Sequence, residues 1–261
     1  MPPGQLLDSL PVSLVFVAFA IITMACYEVG FRLGRWWQER TPGEQEGPTG
    51  MLVGSILALL AFLLAVTMGM AADRFDARRS LVLAEANAIG TAYLRAGYLP
   101  EPASSQAREL LRQYVPIRIV VTDTNDLQAD IDQSNAILAK LWTVTEGVAR
   151  TNGSDVVALY VESVNDTIDL NESRITAGIY ARVPETILLL LVGGAALSLG
   201  MVGYSAGLTQ RRSLLSAFVL ILVLGAVITI VVDLDRPREG FIQVSQQPLI
   251  DLQQQIGPPT T

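Results

Sequence analysis

Four apolar stretches, at residues 12–31, 51–72, 186–204 and 214–232, constrain this chain more than any other feature. Each is about 19–22 residues long, and at 1.5 Å per helical residue each crosses a hydrocarbon core of about 30 Å. Inside that core the backbone has no water to bond. The runs are therefore expected as spanning α-helices that satisfy their own hydrogen bonds. The first run has no basic residue before it and exceeds the length of a signal-peptide core, so it is expected to remain as a span. A positive mean hydropathy and 51% hydrophobic residues agree with a membrane protein.

The expected plan is an all-α chain of four transmembrane helices with a helical extramembrane domain between the second and third. Its parts are a first hairpin at 1–72, the domain at 73–184, a second hairpin at 185–233 and a tail at 234–261. Pro100 should break the first helix of the domain and Pro116 should kink or end the next. Asp123 and Asp126 offer N-caps before an amphipathic helix through Leu127, Ile131, Leu138, Leu141 and Val148. After Asn152-Gly153 the spacing resumes through Val157, Val161, Val164 and Ile168, with Asn171 and Glu172 interrupting it. Pro184 suits the first turn of the third span, and Pro248 could start a short helix through Leu249 and Leu252.

Composition narrows the chemistry. Histidine is absent, which removes Ser-His-Asp and Cys-His catalysis, and the single cysteine, Cys26, lies inside the first span. No enzymatic activity, cofactor or zinc site is expected. A net charge of −7 argues against nucleic acid as a partner, since binding a phosphate backbone needs a basic surface. Trp36 and Trp37 beside Arg32 and Arg35 suit the lipid headgroup region.

The second span carries the most suggestive pattern. Small residues recur at Gly54 and Ala58 and again at Ala61, Ala65 and Gly69, which would let another helix approach closely. A neighbouring stripe holds Ala58, Phe62, Val66 and Met70. Ordinary packing accounts for it, and so does a pore lining in which rings of apolar side chains gate ions by dewetting. Only a symmetric oligomer could place copies of this stripe around one axis.

The span continues into "RFDARRSLVLAEANAIGTAYLR" without a proline. Arg74, Arg78 and Arg79 can snorkel to headgroups, or attract anions at a pore mouth. Glu85 and Asn87 interrupt an apolar pattern and are expected to hydrogen-bond inside the helical bundle. After the fourth span, Asp233 and Asp235 stand beside Arg236, where salt bridging is expected and calcium is a weak alternative, because it takes six to eight oxygen ligands.

The span order, the "RFDARR…EANAIGTAYLR" segment and "DLDRPREGFIQVSQQPL" resemble a bacterial membrane family described as bestrophin-like, over roughly residues 50–255. The resemblance implies a pentameric, anion-selective channel in the bacterial inner membrane, with small anions, lipids and further copies of itself as partners. It implies an apolar neck at Ala58, Phe62 and Val66, followed by Arg74, and a helical part in the cytosol. Ala58 departs from the bulky pattern, and the calcium-binding acidic cluster of animal bestrophins is represented only by Asp233 and Asp235.

Charge counting gives a mixed orientation. Arg32, Arg35, Arg40, Arg211 and Arg212 on the hairpin loops outnumber Arg236 and Arg238, which would put those loops in the cytosol. Adding Arg74, Arg78, Arg79, Arg174 and Arg182 reverses the count to seven against five, in line with the cytosolic domain that the resemblance implies. A non-conducting sensor or scaffold, signalling through the helical domain, is the alternative function.

Overall fold

A computed structural model describes residues 11–41, 47–119, 127–236 and 240–259. Asp123, Asp126, Pro237 and Arg238 lie outside them. The described residues form eight helices: α1 (Val12–Arg40), α2 (Gly47–Ala96), α3 (Ala103–Ile119), α4 (Leu127–Thr151), α5 (Asp155–Ile179), α6 (Glu185–Leu208), α7 (Leu214–Asp235) and α8 (Gln247–Ile256). Four of them, α1, α2, α6 and α7, are long and apolar enough to cross a membrane.

The chain divides into two compact units, Met1–Arg74 with Arg182–Ile242, and Phe75–Ala181 with Gln243–Thr261. In the first unit α1 lies along α6 and also against α7. Their contact depends on glycine. A Cβ on Gly30 would collide with the carbonyl oxygen of Gly200, one on Gly34 with that of Tyr204, and one on Gly203 with that of Tyr27. Gly30 and Gly34 are four residues apart, as are Gly203 and Gly207, so each pair lines one face of its helix and lets the backbones meet. Without a hydrophobic drive between spans in lipid, this close approach supplies the dispersion contacts that hold them. Around them Phe19, Leu60, Leu64, Leu191 and Leu199 form the apolar core of the unit.

The small residues anticipated as a packing face on α2 are placed differently. Gly54 and Gly69 have open space around them within the chain, because the close helix approach occurs between α1 and α6 instead.

The second unit packs the later part of α2 with α3, α4, α5 and α8 around Ile89, Leu111, Leu141, Tyr160, Val164 and Leu249. Pro116 does not end α3, which continues to Ile119. A proline so near a C-terminus removes one ladder bond, while the buried Arg118 in that last turn is tied into the unit by a hydrogen bond to Glu85. The Asn152-Gly153 break separates α4 from α5, with Asn152 Oδ1 accepting from the Ser154 backbone at 3.1 Å. Following Pro248, α8 buries Leu249, Leu252 and Ile256, and Arg112 donates to the Ile256 carbonyl at 2.8 Å.

Candidate functional site

Helix α2 runs unbroken for 50 residues and keeps two opposite faces throughout. Leu60, Leu64, Thr67 and Ala71, then Arg78, Val82, Glu85 and Ile89, are buried. On the other side, positions 59, 62, 66, 69, 73, 76, 80, 83 and 87 are all exposed in the single chain. These positions step three and four residues in turn, a mean period of 3.5. Copies of a helix with that period can supercoil gently and still keep the same seam facing a common axis.

The expected neck residues sit on or beside this seam. Phe62 is 64% exposed and Val66 47% exposed, as are bulky apolar residues on the other spans such as Leu197 at 70% and Phe218 at 61%. Ala58 is exposed as well. Leu59, 59% exposed, begins the seam one turn before Phe62, beside Ala58, and it offers the bulk that Ala58 lacks. The sequence reading missed Leu59 because a four-residue step from Phe62 selects position 58, whereas a 3.5 period places 58 and 59 equally near the line.

The three arginines separate. Arg74 is half-buried and faces Asp235, with Nη1 3.7 Å from Oδ1. Arg78 is buried. Arg79 alone of the three is exposed. Arg74 and Arg78, one turn apart, lie on the inward side of the helix, while Arg79 is turned about 100° from Arg78, so the trio that looks like a single basic patch in sequence does not present one exposed cationic face.

Asp233 and Asp235 are both buried in the first unit. Asp233 accepts the backbone N–H groups of Phe241 and Ile242, each at 2.9 Å, and Gly240 packs against its carboxylate at a backbone φ of +134°. Asp235 accepts the Val183 N–H at 2.8 Å and faces Arg182 at 3.8 Å as well as Arg74. Two aspartates on the last turn of α7 thus fasten the chain on either side of the spans by charge-assisted hydrogen bonds. A cation at this place would compete with those donors, and among the described residues no three His, Cys, Asp or Glu side chains group as metal ligands. Asp233→Ala should leave two N–H groups without their acceptor, at a cost of about 1–3 kcal/mol. Hydrogen exchange at residues 241 and 242 reads this directly; unchanged protection would remove the fastening role.

Glu85 is fully buried in the second unit. Its Oε1 accepts from the Tyr114 hydroxyl at 2.8 Å and from Arg118 Nε at 2.9 Å, and its Oε2 accepts from Arg174. Arg174 also donates to Gln246 Oε1 at 3.2 Å, which brings in the segment before α8. Asn171, one of the residues that interrupts the apolar pattern of α5, is buried beside this group and donates to Asn135 at 3.1 Å. Burial, and then the Glu85 carboxylate, raise the Tyr114 phenol well above its ordinary range, so it remains a donor. A raised value contributes stability that is present below the ordinary phenol value and is lost as pH rises through the folded one. Asn87, expected beside Glu85, is instead exposed. Two residues along an α-helix turn the side chain by about 200°, so both cannot face one core.

A family model described as the Bestrophin-like domain matches residues 17–249. A crystal structure of a bacterial bestrophin homologue from Klebsiella pneumoniae carrying a mutation is similar with a TM-score of 0.66 at 16% identity, covering 94% of this chain and 97% of that one. A second structure of a homologue from that organism gives 0.63 at 14% identity, with the same coverage of both chains. A crystal structure of a mutated membrane protein gives 0.63 at 15% identity, again over 94% and 97%. No curated protein matches the chain.

Proposed function

Because the chain belongs to the Bestrophin-like family, we propose that several copies of it, five by the family resemblance, form an ion-conducting pore in the bacterial inner membrane. The observation that carries this reading is the uncovered seam of α2, which holds Leu59, Phe62 and Val66 within the span and turns polar at Asp73. Repeated around an axis, three bulky apolar positions make a narrow dry neck, and ions cross it only when it is wetted. Phe62 and Val66 form the constriction, with Leu59 and Ala58 at its first turn. The helical unit lies in the cytosol, as the resemblance implies. Anion selectivity, also implied by the resemblance, would fall to Arg79, since Arg74 and Arg78 turn into the fold.

The test is ion flux through liposomes holding the purified, assembled protein, with Phe62→Ala beside it. Loss of the ring widens the neck, and unitary conductance should rise by about twofold or more if the apolar ring sets the wetting barrier. Currents of unchanged size would move the constriction elsewhere. Sealed liposomes, despite insertion and assembly, would favour a sensor or scaffold acting through the helical unit.

A further inference from the structure

Arg32 and Arg212 come from distant parts of the chain and meet at one depth of the first unit. The apolar run of α1 ends at Phe31 and that of α7 begins at Leu214, so each arginine is among the first polar residues beyond a span, at the level of lipid headgroups. Glycine sets their approach. Gly207 carries the end of α6 against α1, where a Cβ would meet the Phe31 carbonyl and the Arg35 backbone nitrogen. The turn between α6 and α7 is thereby held beside this stretch of α1. Arg212 reaches one oxygen of Glu28 and lies over the Phe31 ring at 5.2 Å, while Arg32 donates to the other oxygen at 2.9 Å.

We propose that Arg32 and Arg212 bind the phosphate of an anionic phospholipid, with Arg211 at the edge of the site. The local charges favour an anion. Two guanidiniums share the single Glu28 carboxylate, and Arg211, exposed on the same turn, makes no ion pair among the described residues. Glu39 is engaged by Arg35, and Arg40 stacks over Trp36 at 3.9 Å. Glu44 and Glu46 follow α1 outside the described residues. Glu28 occupies one N–H of each guanidinium, which leaves further donors on both for phosphate oxygens in the paired geometry that arginine favours.

The neighbours favour a lipid over a soluble phosphate. Leu215 and Phe218, on the first turn of α7, are exposed and offer apolar surface to acyl chains directly below the arginines. Trp36 and Trp37 stand half-exposed one turn beyond Arg32, with the apolar body and polar edge that suit the interface. Arginines that only snorkel to headgroups have no reason to converge on one carboxylate from two helices. Glu28 holds both guanidiniums in place, and the Phe31 ring fixes the second of them.

Titration of the assembled full chain in an uncharged detergent tests this, with binding read from the thermal midpoint as lipid is added. Phosphatidylglycerol should bind about tenfold more tightly than phosphatidylcholine, in keeping with what one or two uncompensated arginines contribute at a membrane surface. Arg32→Gln combined with Arg212→Gln should bring that ratio towards 1. Arg35→Gln combined with Arg40→Gln removes the same charge from the same end and should keep the preference. Glu28→Gln should tighten phosphatidylglycerol binding by about fivefold, since it removes the competing carboxylate; loss of folding cannot produce a change in that direction. Equal affinity of the wild type for the two lipids overturns the proposal. Equal loss in the two double variants assigns the effect to diffuse surface charge and overturns the site. Inorganic phosphate that matches phosphatidylglycerol in its effect makes the occupant a soluble anion and overturns the lipid assignment.

Discussion

Glu85→Ala should destabilise the helical unit by about 3–5 kcal/mol, the cost of removing one partner from a buried ion pair. The carboxylate is fully buried, and the substitution leaves Arg118 and Arg174, themselves almost buried, without a counter-charge. It also strips the Tyr114 hydroxyl of its nearest acceptor. Because the group joins α2, α3 and α5, and reaches Gln246 through Arg174, the loss should appear as one cooperative change, a lower thermal midpoint for the whole unit. Glu85→Gln keeps an acceptor oxygen for one donor and should cost less. If both variants melted like the wild type, the group would contribute nothing to stability.

The second large effect belongs to the spans. Gly203→Ala places a methyl group against the Tyr27 carbonyl, where neither backbone can yield without separating α1 from α6. Overpacking of this kind costs about 1–3 kcal/mol, and the opposing partner here is backbone, so the upper end or beyond is expected. Gly30→Ala should behave alike, because its methyl group meets the Gly200 carbonyl. Gly193, on the same helix α6, has open space around it, and Gly193→Ala should be neutral or stabilise slightly through helix propensity. The thermal midpoint in detergent, or the fraction surviving extraction, separates the two outcomes. Equal effects at Gly203 and Gly193 would mean that helix propensity, and not the α1–α6 approach, is what was measured.

Much of the fold was legible beforehand because lipid leaves few options. A membrane-length apolar run must close its own hydrogen bonds, and all four expected spans appear as helices. Local punctuation was legible too, since Asn152-Gly153 and Pro248 act within a turn or two of themselves. Pro116 does not end α3, because the penalty of proline depends on how much helix remains beyond it and on what anchors that remainder. The candidate site was visible only in outline. Helical spacing puts Phe62 and Val66 on one apolar stripe and the family resemblance alone suggests a neck there, while Leu59 joins them only once the exposed positions of α2 are known.

The division has a physical basis. Hydropathy and spacing are properties of a segment and its solvent, so the sequence by itself determined that the chain is helical, that four segments can span, and that α2 carries a regular stripe. Which side of a helix meets a neighbour depends on residues far away in the chain. Only the tertiary structure decided that Arg74 would be neutralised by Asp235, that Glu85 would be buried and Asn87 exposed, and that α1 would meet α6 through glycine. Partner choice in a folded chain is settled by geometry at distances of a few ångströms between residues that the sequence sets more than a hundred positions apart.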